Sequence, residues 1–79
     1  MRLNELRPGE RAVLRALHIS GAARRRLRDL GLVEGAELRC LGRSPLGDPA
    51  AYALCGAAIA LRDRDSSKIE VEEREWSGS

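Results

Sequence analysis

The sequence predicts a small, mainly β domain in which five strands close into a barrel and one α-helix is inserted. Three observations predict it. The chain has 79 residues, room for one modest core, because a domain this small buries only roughly 60% of its unfolded surface. Short stretches of alternating apolar and polar residues recur between Gly and Pro turn signals, as half-buried strands require. A stretch from Ala23 to Leu30 carries apolar residues at helical spacing, in a helix of about three turns.

Leu3 and Leu6 stand three apart before Pro8-Gly9, which predicts one anchoring helical turn that breaks at the proline. From Arg11 to His18, Ala12, Leu14 and Ala16 alternate with partly polar neighbours and give the first strand, although Val13 and Leu17 on the other parity blur the pattern or indicate a bulge. Ser20-Gly21 opens the helix, whose apolar positions Ala23, Leu27 and Leu30 recur at i, i+4 and i+7. Gly31 stands at its left-handed C-terminal cap. Arg24, Arg25 and Arg28 lie off this stripe and are expected to face solvent or a partner.

The second strand spans Ala36 to Arg43, with Leu38 and Cys40 on its inner face. Ser44 to Pro49 is a hairpin loop whose prolines sit outside the ladder, and Ala50 to Cys55 is the third strand, with Tyr52 and Leu54 inward. Facing residues of an antiparallel pair share a side, so Cys40 is expected opposite Leu54, inside, and Cys55 outside. That parity disfavours a Cys40–Cys55 bond, although a slip of one residue in register reverses it. Gly56 makes the next turn, Ile59 and Leu61 form strand four, Arg62 to Lys68 is a polar connection, and Ile69 with Val71 forms strand five. The domain is expected to span residues 1–74, and residues 75–79, with Trp76, to be a flexible tail.

Charge and cysteine usage narrow the function. The formal charge of +2 is too small to imply nucleic acid by itself, and its distribution says more: Arg24, Arg25, Arg26 and Arg28 cluster on the helix, while Glu70, Glu72, Glu73 and Glu75 make the end acidic. The arginine patch reads as a solvated helix face, a contact for an acidic protein surface, or a contact for nucleic acid or lipid headgroups. Nucleic acid ranks last, since the only aromatics are Tyr52 and Trp76. No apolar run reaches the roughly 20 residues of a membrane-spanning helix, and the opening residues do not resemble a signal peptide, so a cytoplasmic protein without membrane insertion is expected.

No cofactor, metal or catalytic site is expected. The chain has one histidine, His18, and a ferrous site wants several His and carboxylate ligands converging. His18 is read as structural or solvent-exposed. No nucleophile is paired with a base, and no phosphate-cradling G-x-x-x-x-G-K-[ST] loop is present.

Taken together, Leu3, Leu6-x-Pro8-Gly9, the helix end Arg26-Leu27-Arg28-Asp29-Leu30-Gly31-Leu32, Gly35, Ser44-Pro45-Leu46-Gly47-Asp48-Pro49, Ile59-Ala60-Leu61-Arg62 and Ile69-Glu70-Val71 resemble the FeoA family of bacterial ferrous iron uptake. The likeness spans roughly residues 3 to 72. It implies an SH3-like barrel with an inserted helix. It also implies a cytosolic accessory role on the FeoB membrane transporter, whose cytosolic portion carries a GTPase domain. Metal handling then belongs to the system and not to a site on this chain. Candidate partner contacts are Arg24, Arg25 and Arg28 on the helix and Leu46, Gly47 and Asp48 in the hairpin, and self-association is open. Similar motifs occur in the C-terminal domain of iron-dependent repressors, so the alternative is a free-standing regulatory domain acting on a transcription factor or nucleic acid.

Overall fold

The computed structural model describes residues 1–74; the expected tail at 75–79, Trp76 included, lies outside the described residues. A 3-10 turn at Leu3–Glu5 precedes β1 (Arg11–Leu17), α1 (Gly21–Asp29), β2 (Glu37–Arg43), β3 (Ala50–Leu54), β4 (Ala57–Leu61), a one-turn α2 (Asp63–Ser66) and β5 (Ile69–Arg74). The strands form one antiparallel sheet in the order β4-β3-β2-β1-β5. The expected five strands and inserted helix are present, and the fold is SH3-like.

Alternation along each strand decides what the sheet encloses. Leu38 and Cys40 of β2, Ala50, Tyr52 and Leu54 of β3, Leu61 of β4, and Ile69 and Val71 of β5 all point inward with Ala12 and Leu14 of β1. Leu3 and Leu6 close one end of this core, while Leu27 and Leu32 bring the helix onto it. Each fully buried leucine contributes about 1.5–3 kcal/mol relative to exposure.

Of the two readings of Val13 and Leu17, the bulge holds: pairing with β5 shifts between Leu14 and Ala16, which leaves Arg15 outside the ladder with its guanidinium on Glu72 at 2.9 Å.

Three expectations need correction. Cys40 pairs with Tyr52, and Leu54 pairs with Leu38, so the register differs by two residues from the one expected. A bulge between Cys40 and Gly42 takes Leu41 out of the ladder, 41% exposed, and accounts for one of those two residues. A shift of two preserves the face, so Cys40 remains buried and Cys55 exposed, both as free thiols. Leu30, placed on the apolar stripe of the helix, is instead exposed. The connection after β4 contains α2, whose turn is too short to show helical periodicity in the sequence.

Candidate partner-binding surfaces

Helix α1 is held to the barrel mainly by its C-terminal end. Gly31 adopts φ +106, the Leu32 N–H donates to the Leu27 carbonyl at 3.0 Å, and the Gly31 N–H donates to the Arg28 carbonyl at 2.9 Å. This is a Schellman ending. It aims Leu32 into the core beside Leu27, and it leaves Leu30, at the cap, pointing out. The N-terminal end is held differently. The Arg24 guanidinium reaches back to the carbonyls of Leu17 at 2.8 Å and Ile19 at 3.5 Å. Ser20 makes no side-chain cap, so Arg24 takes over part of the task of fixing the helix start.

The sequence-predicted arginines thus divide. Arg24 is half-buried and tied to backbone, whereas Arg25 and Arg28 are exposed, as is Arg26. Leu30, 49% exposed, and Val33, 39% exposed, stand at the C-terminal corner of the same helix and add an apolar component to the basic one. Sequence reasoning missed both. The signal lay in Gly31: a left-handed cap residue redirects the chain, so the leucine before it need not continue the stripe.

The hairpin is rigidly built. Gly47 sits at φ +89 and its N–H donates to the Ser44 carbonyl at 2.8 Å, while the Ser44 N–H donates to the Pro49 carbonyl at 3.0 Å. The Asp48–Pro49 bond is cis. Asp48 is exposed, but its carboxylate accepts the Asp63 N–H at 2.8 Å, at the start of α2. The Asp63 side chain in turn accepts from Asn4 at 3.1 Å, and Arg43 donates to the Asn4 carbonyl. Gly47 and Asp48 therefore shape the turn and anchor it, and the Leu46 side chain is 95% exposed at its tip.

These two surfaces are not brought together. A Cβ at Gly31 would lie 3.5 Å from the Cys55 Sγ and 3.6 Å from Leu54, so α1 ends beside the far end of β3, and the hairpin enters β3 at Ala50. The length of β3, about 13 Å at the usual rise of a strand, separates them.

His18 and Glu70 form the pair that most resembles a chemical site, with Nε2 and Oε1 2.9 Å apart. The hydrogen bond from His18 holds the Glu70 carboxyl below its ordinary value. Among the described residues, no group of three or more His, Cys, Asp or Glu side chains converges. No helix among them is long and apolar enough to cross a membrane.

The family model described as the FeoA domain matches residues 1–73. The chain belongs to the FeoA family. A curated relative from Porphyromonas gingivalis, an Fe(2+) transport protein A/Fe(2+) transporter FeoB fusion protein, is 38% identical over 72 residues, covering 91% of this chain and 8% of that protein. The chain thus spans about a twelfth of the length of that relative. The solution structure of FeoA from Chlorobium tepidum superposes with a TM-score of 0.88 at 38% identity, covering 100% of this chain and 78% of that one. FeoA from Stenotrophomonas maltophilia, an SH3 domain protein solved with zinc and put forward as a ferrous iron transport activating factor, gives 0.76 at 34%, covering 91% and 89%. ScaR, solved with bound Cd2+, shares the fold with a TM-score of 0.80 at 24% identity, over 91% of this chain and 35% of that one. At that identity the likeness is one of fold alone and adds nothing to the repressor-domain reading. Family membership links the chain to ferrous iron transport through a small SH3-like domain.

Proposed function

We propose that this chain is a binding domain of a ferrous iron uptake system that docks on the cytosolic, GTPase-containing portion of a FeoB-type transporter. The observation that carries this reading is the Porphyromonas gingivalis relative, in which a domain 38% identical to this one and FeoB are one polypeptide. Fusion places two partners at high effective concentration and is a natural outcome for domains that work in contact.

The docking surface is the outer corner of α1. Arg25 and Arg28 supply positive charge and Leu30 and Val33 supply desolvatable area, the mixture of arginine and apolar groups that binding surfaces favour. The hairpin offers Leu46 alone at its tip and serves as a secondary contact. Arg24 belongs to the fold rather than to the contact, since its guanidinium is committed to the Leu17 and Ile19 carbonyls.

The test is a pull-down of the transporter's cytosolic portion with the wild-type chain and two variants. The Arg25→Glu, Arg28→Glu double variant is expected to weaken capture by about tenfold or more, because reversed charges oppose the partner's surface. Leu46→Ser is expected to weaken it less. Full retention of capture by the arginine variant, with loss in Leu46→Ser, would move the contact to the hairpin.

A further inference from the structure

Among the described residues the two edges of the sheet are unequal. The β5 edge is covered over Glu70 and Val71: the Val71 N–H donates to the Met1 carbonyl at 2.8 Å, the Met1 amino group donates to the Val71 carbonyl at 3.2 Å, and Arg2 bridges Glu70. That strand also carries Glu70, Glu72 and Glu73. The other edge, β4, reads Ala57-Ala58-Ile59-Ala60-Leu61, with no charge, no proline and no shift in its register against β3. Natural sheets usually blunt an edge with one of those devices.

The turn before β4 fixes which of its backbone groups are open. Cys55 and Gly56 both have positive φ, 53° and 80°, so β3 and β4 are joined by a two-residue type I′ turn. Such a turn makes Leu54 and Ala57 a hydrogen-bonded pair, and alternation then does the same for Tyr52 with Ile59 and Ala50 with Leu61. The N–H and C=O groups of Ala58 and Ala60 consequently point away from β3. Their side chains are exposed methyl groups that shield nothing.

We propose that β4 is a self-pairing edge through which two copies of this chain associate. The copies run antiparallel with Ile59 on the two-fold axis, and Ala58 of each stands opposite Ala60 of the other. In that register every outward N–H and C=O of Ala58 and Ala60 meets its complement, and Ile59 faces Ile59 in the closer, non-hydrogen-bonded position. Beyond the strand, Arg62 falls opposite Gly56 and Asp63 opposite Cys55, so no like charges oppose one another. A second copy suits this edge because the pairing opposes no like charges and satisfies Ala58 and Ala60 of both strands at once. The two-fold pairing uses the β4 edge of both copies and so closes at two, and Met1 and Arg2 already occupy the Glu70–Val71 stretch of the other edge.

Sedimentation equilibrium of the full chain from about 10 μM to about 1 mM tests this, in the range expected for a small, weak interface. A reversible monomer–dimer equilibrium is expected. The Ala58→Lys, Ala60→Lys variant sets like charges opposite at both pairs and is expected to raise the dissociation constant about tenfold. The Ala58→Lys, Ala60→Glu variant sets opposite charges there and should dimerise at least as well as wild type. Circular dichroism of both variants checks that they fold. A monomer throughout the range, or equal weakening by the two folded variants, overturns the proposal.

Discussion

The carboxylate of Asp48, in the hairpin, accepts the backbone N–H of Asp63, at the first residue of α2, at 2.8 Å. One side chain thereby couples the tip between β2 and β3 to the connection between β4 and β5, and Asn4 joins the same group from the N-terminal turn. The residue acts as a helix cap supplied from a distance. Asp48→Ala is expected to lower stability by about 1 kcal/mol, as loss of a capping oxygen does elsewhere, while Asp48→Asn keeps most of it. Urea unfolding of the variants checks this, and an unchanged midpoint for Asp48→Ala would show that the cap contributes nothing.

Leu27 is the one fully buried side chain of α1 and sits in the core with Leu32. Leu27→Ala should cost about 3 kcal/mol, combining lost transfer energy with a cavity. Thermal unfolding followed by circular dichroism is the measurement. A loss below about 1 kcal/mol would mean that the helix is held by Arg24 and the Gly31 cap instead.

Much of this architecture is legible in the sequence, and what is not has identifiable causes. The inward parity of Leu38, Cys40, Tyr52 and Leu54 follows from two-residue alternation, and the Gly31 cap follows from its place after the helical stripe. The register of β2 against β3 is not legible, because Leu41 bulges out and moves the pairing by one residue while the Leu38 and Cys40 alternation stays intact on either reading. Arg24, Arg25 and Arg28 read as one patch, yet the Arg24 guanidinium turns back to the Leu17 and Ile19 carbonyls, a contact that no spacing rule announces. Asp48 read as a turn residue. Its distant partner, Asp63, is fifteen positions away and no local rule connects them.

Tyr52 is completely buried, and its hydroxyl lies beside Ser66 without making a hydrogen bond of good geometry. Burial raises its ionisation above the ordinary 10.0. A phenol raised in the folded state leaves stability whole below the unfolded value and removes it as pH rises through the folded one. Wild-type stability should therefore decline above about pH 10, and Tyr52→Phe should flatten that decline. At pH 7 the same variant should differ by less than about 1 kcal/mol, because no hydrogen bond is lost. A parallel alkaline decline in both proteins would assign it to other groups.

The His18–Glu70 pair acts at the opposite end of the pH scale. The hydrogen bond to His18 holds the Glu70 carboxyl below its ordinary 4.5, so the contribution is present above that value and disappears as pH falls through the lowered one. Both side chains are about half exposed, so the effect is small. Glu70→Gln should shift acid unfolding less than Asp48→Ala shifts urea unfolding, and high salt should shrink the difference further. An acid midpoint independent of the Glu70 substitution would remove the pair from the account.

The proposed contact of this FeoA-family domain is with the cytosolic portion of a FeoB-type transporter. Isothermal titration of that portion with this chain, in the absence of nucleotide and with GDP or a non-hydrolysable GTP analogue, tests it most directly. Saturable binding in at least one nucleotide state, weakened by the Arg25→Glu, Arg28→Glu variant, is the predicted result. Absence of binding in all three states at concentrations up to about 1 mM would contradict it.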